Sequence, residues 1–150
     1  MSYVSPMSRA LVALKAKLAA WTTGTGEDEQ PALKGVQITP VEISCPAYPY
    51  ALISSGMSYG PAGDSTATLD VVLYVKGAVC EDLLLEAWDF AEQCKQYLRK
   101  HLGRLLPDVD TVTISETDHG GKWDPDAKGD DRPAILWITL SIKPQWLEDL

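Results

Sequence analysis

The chain has 150 residues, of which 45% are hydrophobic and 23% are charged, and this balance excludes a disordered or fibrous protein. Its length suits one hydrophobic core, so we expect a single domain over residues 1–150. The formal net charge of -8 argues against a protein that holds nucleic acid through phosphate contacts, because such proteins need a basic surface.

The first predicted element is an amphipathic helix that ends near Thr22. Ser5 and Ser8 are its candidate N-caps. Its apolar residues recur at steps of three and four positions, which predicts one buried face: Met7, Leu11, Leu14, Leu18 and Trp21. The next segment, 23–32, combines glycines, acids and a proline, so we expect a mobile, exposed loop there.

Two strands are predicted in the following part of the chain. Residues 33–43 have strand-like apolar positions, but Pro40 removes a ladder donor, so an edge strand or a bent strand is expected. Residues 50–55 follow a proline-rich turn as a short apolar strand. From residue 54 to residue 64, serines and glycines predict a loop.

The clearest strand covers residues 66–76, because apolar residues alternate along it with a period of two. A long helix over 81–102 follows, with acids in its first turn, bases in its last turn and Gly103 at the C′ position. Seven residues are predicted to form its core-facing stripe: Leu84, Ala87, Trp88, Ala91, Cys94, Leu98 and Leu102.

Two more strands are predicted, over 109–117 and 134–143, with the polar segment 118–133 between them as a long hairpin tip or a flexible arm. The element order is therefore a helix, two or three strands, a long helix and two strands. It predicts an α+β fold in which a mostly antiparallel sheet of four to five strands carries both helices on one face.

Few residues suggest catalysis or metal binding. His101 suits the dipole of a helix C-terminus. Segment 118–131 is acidic, but Lys128 and Ile135 stand where a calcium loop needs Asp or Asn and a bidentate Glu. We therefore predict no metal and no cofactor, while a metal-binding or ligand-binding module that uses this segment stays open as an alternative.

The chain contains none of the nucleophile, phosphate-binding or dinucleotide motifs of common enzymes, and we predict that it is not an enzyme. Its cysteines form no CxxC pair, and their odd number predicts reduced thiols in a soluble cytoplasmic protein: Cys45, Cys80 and Cys94. A hydrolase with a Cys–His site assembled in space, with His101 or His119, remains an alternative.

One tryptophan stands alone in a hydrophilic segment, and this position favours an interface, because a large aromatic ring gains most when a partner buries it. We predict that Trp123 and the neighbouring acids contact another protein. The predicted interface residues are Trp123, Asp124, Asp126, Asp130 and Asp131.

Five segments together resemble the tail terminator and tail completion (minor tail) proteins of long-tailed bacteriophages. They are the amphipathic helix at 10–18, the segment Tyr-Pro-Tyr-Ala-Leu-Ile at 48–53, the alternating strand at 66–76, the helix segment Leu-Leu-Leu-Glu-Ala-Trp-Asp-Phe-Ala at 83–91 and the strand Ile-Leu-Trp-Ile-Thr-Leu at 135–140. The likeness lies in the order of the elements and in their residue pattern, and it covers most of the chain.

The resemblance implies a structural protein of the virion tail, assembled in the cytoplasm of the host bacterium. It implies a ring, commonly of six subunits, that caps the tail tube, stops its polymerisation and forms the interface to the head and neck. The implied partners are copies of the chain itself, the tail tube protein and a head–tail connector or neck protein. DNA would pass through the lumen only as cargo, and an acidic lining suits passage because attraction would trap a polyanion. Another head–tail connector or neck protein is the alternative in the same class.

Overall fold

The computed structural model describes residues 5–60, 65–101, 109–127 and 132–146. Two helices lie on one face of a five-stranded sheet. In chain order, a separate two-stranded sheet follows the first helix and precedes the first strand of the main sheet. The predicted α+β class is therefore confirmed. Neither helix in these ranges is long and apolar enough to cross a lipid bilayer.

The first helix, α1, runs over Pro6–Ala19. Its N-cap is Ser5, whose side-chain oxygen accepts a hydrogen bond from the backbone N–H of Ser8 at 3.1 Å, so the first of the two predicted caps is the correct one. The helix ends three residues before the predicted boundary. It buries one face, formed by Ala10, Leu14 and Leu18.

Residues 22–31 form a small exposed hairpin. Strands β1 (Thr22–Thr23) and β2 (Gln30–Pro31) pair antiparallel around a short 3-10 helix at Gly26–Asp28. The Thr22 hydroxyl donates to the Glu29 carboxylate at 2.8 Å across the hairpin. The predicted exposure of this segment is confirmed, while its backbone has more regular structure than a loop.

The main sheet contains β3 (Gly35–Ile38), β4 (Tyr50–Tyr59), β5 (Ser65–Gly77), β6 (Val109–Trp123) and β7 (Ala134–Trp146). Their order across the sheet is β3-β4-β5-β7-β6, and only the β3–β4 pair is parallel. Strand β3 lies at an edge and ends before Pro40, as the sequence predicted. The other edge is β6.

Two predicted boundaries in the sheet were wrong. Strand β4 continues to Tyr59, because every residue from Tyr50 onward pairs with β5, and this pairing outweighs the weak strand preference of its serines and glycine. Strand β6 continues to Trp123, although residues 118–123 were predicted to lie in a loop. The register shifts between Glu116 and Asp118, and this bulge breaks the alternation that marks a strand in a sequence.

The larger core lies between the helices and one face of the sheet, which we call the helix face. Helix α1 packs over β3 and β4, while the second helix, α2 (Glu81–His101), packs over β5, β7 and β6. An aromatic stack joins the two helical layers, since the Trp21 ring lies 5.1 Å from Phe90 and 5.6 Å from Tyr97. The Tyr97 hydroxyl also donates to the Lys17 carbonyl at 2.8 Å.

The predicted stripe of α2 needs a correction. Leu83 is buried, while Leu84 is 52% exposed and Trp88 is 37% exposed. The other predicted residues within the described part of the helix are buried, namely Ala87, Ala91, Cys94 and Leu98. Leu102 and Gly103 lie outside the described residues.

The opposite face of the sheet, the outer face, has a smaller apolar cluster. Its buried members are Tyr50, Leu52, Tyr74 and Ile135. Part of the segment between β3 and β4 packs against them through Ile43, Cys45 and Tyr48. This face is therefore covered by chain without regular secondary structure, and no helix lies on it among the described residues.

Candidate interface surfaces

The predicted interface residues that the structure describes lie at the end of β6. Trp123 is 52% exposed, and the guanidinium of Arg132 lies 5.3 Å from the centre of its ring. Asp126 is also exposed. Asp130 and Asp131 lie outside the described residues. Trp123 therefore remains available for contact with another molecule.

Asp124 has a role within the chain. Its side chain is buried, with the residue 4% exposed, and its carboxylate lies 2.6 Å from the ammonium of Lys76 on β5. The same carboxylate accepts a hydrogen bond from the backbone N–H of Asp126 at 3.0 Å. Its own N–H donates to the Pro133 carbonyl at 2.9 Å. Asp124 therefore closes the base of the β6–β7 connection and ties it to β5.

This environment makes stability depend on pH. The hydrogen bond from Lys76, followed by the one from the Asp126 N–H, lowers the pKa of the Asp124 carboxyl below its ordinary value. A carboxylate with a lowered pKa stabilises the fold above its unfolded-state pKa of about 3.9, and this stabilisation is lost as the pH falls through the lower folded-state pKa.

We expect Asp124→Asn to reduce the thermal stability at pH 7, because the charged partner of Lys76 is lost. The difference in melting temperature between the two proteins should shrink as the pH is lowered below about 4, where the wild-type carboxylate also becomes neutral. Thermal unfolding followed by circular dichroism from pH 7 to pH 3 would measure it. Asp126→Asn is the matched control, and an equal loss in both variants at pH 7 would contradict a specific role for Asp124.

The metal-binding and Cys–His alternatives concern acidic, histidine and cysteine side chains. Among the described residues, no three His, Cys, Asp or Glu side chains come together in a way that could hold a metal ion. Burial raises the pKa of the Cys94 thiol to about 12 and that of Cys45 to about 11. Both thiols stay protonated at neutral pH and lack the activation that a nucleophilic cysteine needs. Cys80 is exposed.

An open groove lies between the N-terminal half of α2 and the ends of β6 and β7. Its volume is about 320 Å³, and its lining includes Leu84, Trp88, His119, Gly121 and Leu136. The rings of Trp88 and His119 lie 5.3 Å apart. The bulge in β6 determines this contact, because after the register shift His119 pairs with Ile138, whose side chain belongs to the helix-face core. The groove is thus a largely apolar surface that the described residues do not fill.

The exposed side of α2 is acidic in its N-terminal half. Glu81, Asp82, Glu86 and Asp89 are all exposed, and none of them forms an ion pair within the described part of the chain. Leu84, Leu85 and Trp88 are exposed as well. At about 100° per residue, Glu81, Leu84, Leu85, Trp88 and Asp89 lie within roughly 140° of the helix surface, and we call these five residues the acidic-apolar face of α2. Exposed apolar side chains surrounded by polar ones are typical of protein–protein contact sites.

The main sheet has two open edges on opposite sides. Strand β6 pairs only with β7, so its outer side has no backbone partner among the described residues. On the other side, β3 covers β4 only from Tyr50 to Ile53, and residues 54–59 of β4 pair with β5 alone. Unpaired strand edges are ready to add a strand from another chain.

Comparison with known proteins assigns no family to the chain. No protein-family model matches it, and no curated protein matches it.

Sequence reasoning proposed Trp123 as an interface residue, which stays a prediction, and it did not identify the acidic-apolar face of α2. The helical period assigned Trp88 and Leu84 to the core, because both follow the spacing of the buried residues. A signal was present in the three consecutive leucines at 83–85. Successive helical residues are about 100° apart, so three leucines in a row spread over roughly 200° and cannot all face one core.

Proposed function

We propose that this protein is a structural component of a bacteriophage tail, a tail terminator-like ring that caps the tail tube, stops its polymerisation and forms the interface to the head and neck. The observation that carries the proposal is the pair of open sheet edges on opposite sides of one subunit. A chain with two different open edges is suited to head-to-tail association, and head-to-tail contacts give a ring when the rotation between subunits closes.

The strand directions support this arrangement. Strands β4, β5, β7 and β6 are neighbours in that order, and each pair is antiparallel, so β4 and β6 run in opposite directions. A rotation about an axis roughly along the strands preserves those directions. Strand β6 of one copy would therefore meet the open residues 54–59 of β4 in the next copy as an antiparallel pair, beyond the part of β4 that β3 covers.

Side chains along the open part of β4 also favour contact with a neighbour. Tyr59 is 76% exposed and Met57 is more than half exposed. Both continue the row of Ala51 and Ile53, which face the helices, but they lie where no described helix residue buries them. Tyrosine is enriched among residues that dominate binding energy, because its ring adds a large contact area and a hydroxyl.

The two experiments that test the proposal are a mass measurement and a tube assay. Light scattering after size-exclusion chromatography over a wide concentration range should give a species of about six subunits, the number implied by the resemblance.

In the tube assay, the protein is added to polymerising tail tube protein. It should shorten the tubes, and electron microscopy should show it bound at one end of each tube. Assembly without tube binding, but with binding to a purified connector or neck protein, would favour the alternative head–tail connector. A monomer at all concentrations that leaves tube length unchanged would contradict both.

Tyr59→Ala should weaken this association while leaving the fold intact. We expect the free energy of unfolding of the monomer to change by less than about 0.5 kcal/mol, because the side chain is exposed. The free energy of association should become less favourable by about 2 kcal/mol or more if the ring is buried between subunits. Sedimentation velocity over a concentration series would measure the shift toward monomer. Tyr59→Phe, which keeps the aromatic ring, should assemble like the wild type. Equal assembly by Tyr59→Ala would remove this edge of β4 from the interface.

A further inference from the structure

We propose that the acidic-apolar face of α2 binds the exposed basic face of α1 from the neighbouring copy of the chain. The occupant of the groove beside Trp88 is therefore a second copy. This inference rests on the head-to-tail ring of the proposed function, and it adds a second contact, between helices, to the contact between sheet edges.

The exposed apolar residues of α2 have the spacing of a contact stripe. Leu84 and Leu85 follow Glu81 by three and four positions, and Trp88 follows Leu84 by four. Residues at these steps are neighbours on a helix surface, so they form one continuous row along α2. Leu84 and Trp88 also line the 320 Å³ groove that ends at Gly121 of β6. A partner helix on this row would cover both apolar side chains.

The exposed side of α1 has matching chemistry. Val12, Lys15, Ala16 and Ala19 are exposed and lie at steps of three and four along that helix. The small alanines allow close approach of a large ring such as that of Trp88. Lys15 forms no ion pair within the described residues. The helix therefore offers an exposed cation beside a shallow apolar surface.

Opposite charges favour the contact of α2 with α1 over a contact between two acidic surfaces. Helix α1 contains basic residues and no acidic one, in a chain whose formal net charge is -8. Two copies with the same large negative charge repel each other unless faces of opposite sign meet. Glu81 and Asp89 provide the negative charges on the acidic-apolar face of α2, and Lys15 provides the positive charge on the exposed side of α1.

In the proposed ring, the chain topology places these two faces at the same subunit junction. Helix α1 lies over β3 and β4 at one side of the sheet, and α2 lies over β5, β7 and β6 at the other side, on the same face. When β6 of one copy adjoins β4 of the next, α2 of the first copy lies next to α1 of the second. The helix contact and the sheet contact therefore belong to the same subunit junction.

Charge reversal tests the proposal. Lys15→Glu places an acid against the acidic-apolar face of α2, and the double variant Glu81→Lys with Asp89→Lys places bases against α1. Each should raise the dissociation constant of assembly about tenfold or more at low salt, because like charges would meet across the junction. Light scattering and sedimentation velocity would measure this, and circular dichroism would verify folding. Lys143→Glu is the matched control, since Lys143 is exposed on the outer face and its reversal should leave assembly unchanged.

Mixing the two variants gives the decisive result. In an alternating ring, half of the junctions join the reversed α1 to the reversed α2, and the other half join two unchanged faces. The mixture should therefore assemble with a lower dissociation constant than either variant alone. If both variants assemble like the wild type while Tyr59→Ala dissociates, the helix contact is wrong and the ring remains. If the wild type itself stays monomeric at every concentration and leaves the length of the tail tubes unchanged, the ring proposal and this contact both fail.

Discussion

Replacing Trp21 with alanine should lower the free energy of unfolding by about 3–5 kcal/mol, the range found when a buried tryptophan or phenylalanine is truncated. Trp21 is buried directly after α1 and stacks on Phe90 and Tyr97 of α2. Its loss would leave a cavity between the end of the first helix and the second helix, and the stacking contacts would be lost as well. Helix α1 should then be held less firmly against α2.

Chemical denaturation followed by circular dichroism would measure this effect. Trp123→Ala is the matched control, because the same side chain is removed from a site that is half exposed. We expect it to change the free energy of unfolding by less than about 1 kcal/mol, with a separate effect on association if Trp123 contacts a partner. Equal destabilisation by the two substitutions would contradict the assignment of Trp21 to the core and of Trp123 to the surface.

Leu140→Ala should have the second largest effect, a loss of about 2–5 kcal/mol in the free energy of unfolding. Leu140 is fully buried on β7, where it pairs with Val71 of β5 on one side and Glu116 of β6 on the other. It lies in the core beneath α2, where the surrounding strands are fixed by their ladders. The site therefore has little freedom to close the cavity, which places the cost in the upper part of that range.

Leu84→Ala separates stability from association. It removes the same atoms as Leu140→Ala, but from a position that is half exposed on α2. We expect the free energy of unfolding to change by less than about 0.5 kcal/mol, while assembly weakens because the side chain belongs to the acidic-apolar face. Urea denaturation and sedimentation velocity on the same samples would measure the two quantities. A Leu84→Ala protein that unfolds as easily as Leu140→Ala would show that Leu84 contributes to the core.

The parts of the fold that follow one clear period could be predicted from the sequence. Strand β5 alternates without interruption, and its predicted inward row includes Leu69, Val71 and Leu73, all of which are buried. The ends of α2 have charges that match its dipole, and the helix begins at the predicted residue, Glu81. Such segments contain enough local information to define both the element and its face.

The longer strands could not be predicted, because their limits depend on partners elsewhere in the chain. Residues 54–59 have little strand preference and are extended because they pair with β5. Residues 118–123 continue β6 past a bulge near Thr117. The glycines at 120 and 121 lower the strand preference of this segment further. A side chain added at Gly120 would collide with the ring of Trp137 on β7, while at Gly121 the end of the Leu136 side chain would have to shift.

The interface role of Trp123 stays a prediction, and the structure shows that its side chain is half exposed. The same reasoning grouped Asp124 with it, but the sequence could not reveal that Lys76, 48 positions earlier, lies within reach of that carboxylate. The exposure of Trp88 also depended on tertiary structure, because Trp88 lies at the border of the buried side of α2, beside His119 of β6.

The position of β7 within the sheet has a consequence for synthesis. This strand follows β5 and β6 in the chain, yet it lies between them, and among the described residues it provides every strand partner of β6 and nearly half of those of β5. Until the ribosome has released it, β6 has no strand to pair with, and the core beneath α2 lacks its central layer. The domain should therefore fold only after translation has passed Trp146, and nascent chains should remain open to chaperones and proteases until then.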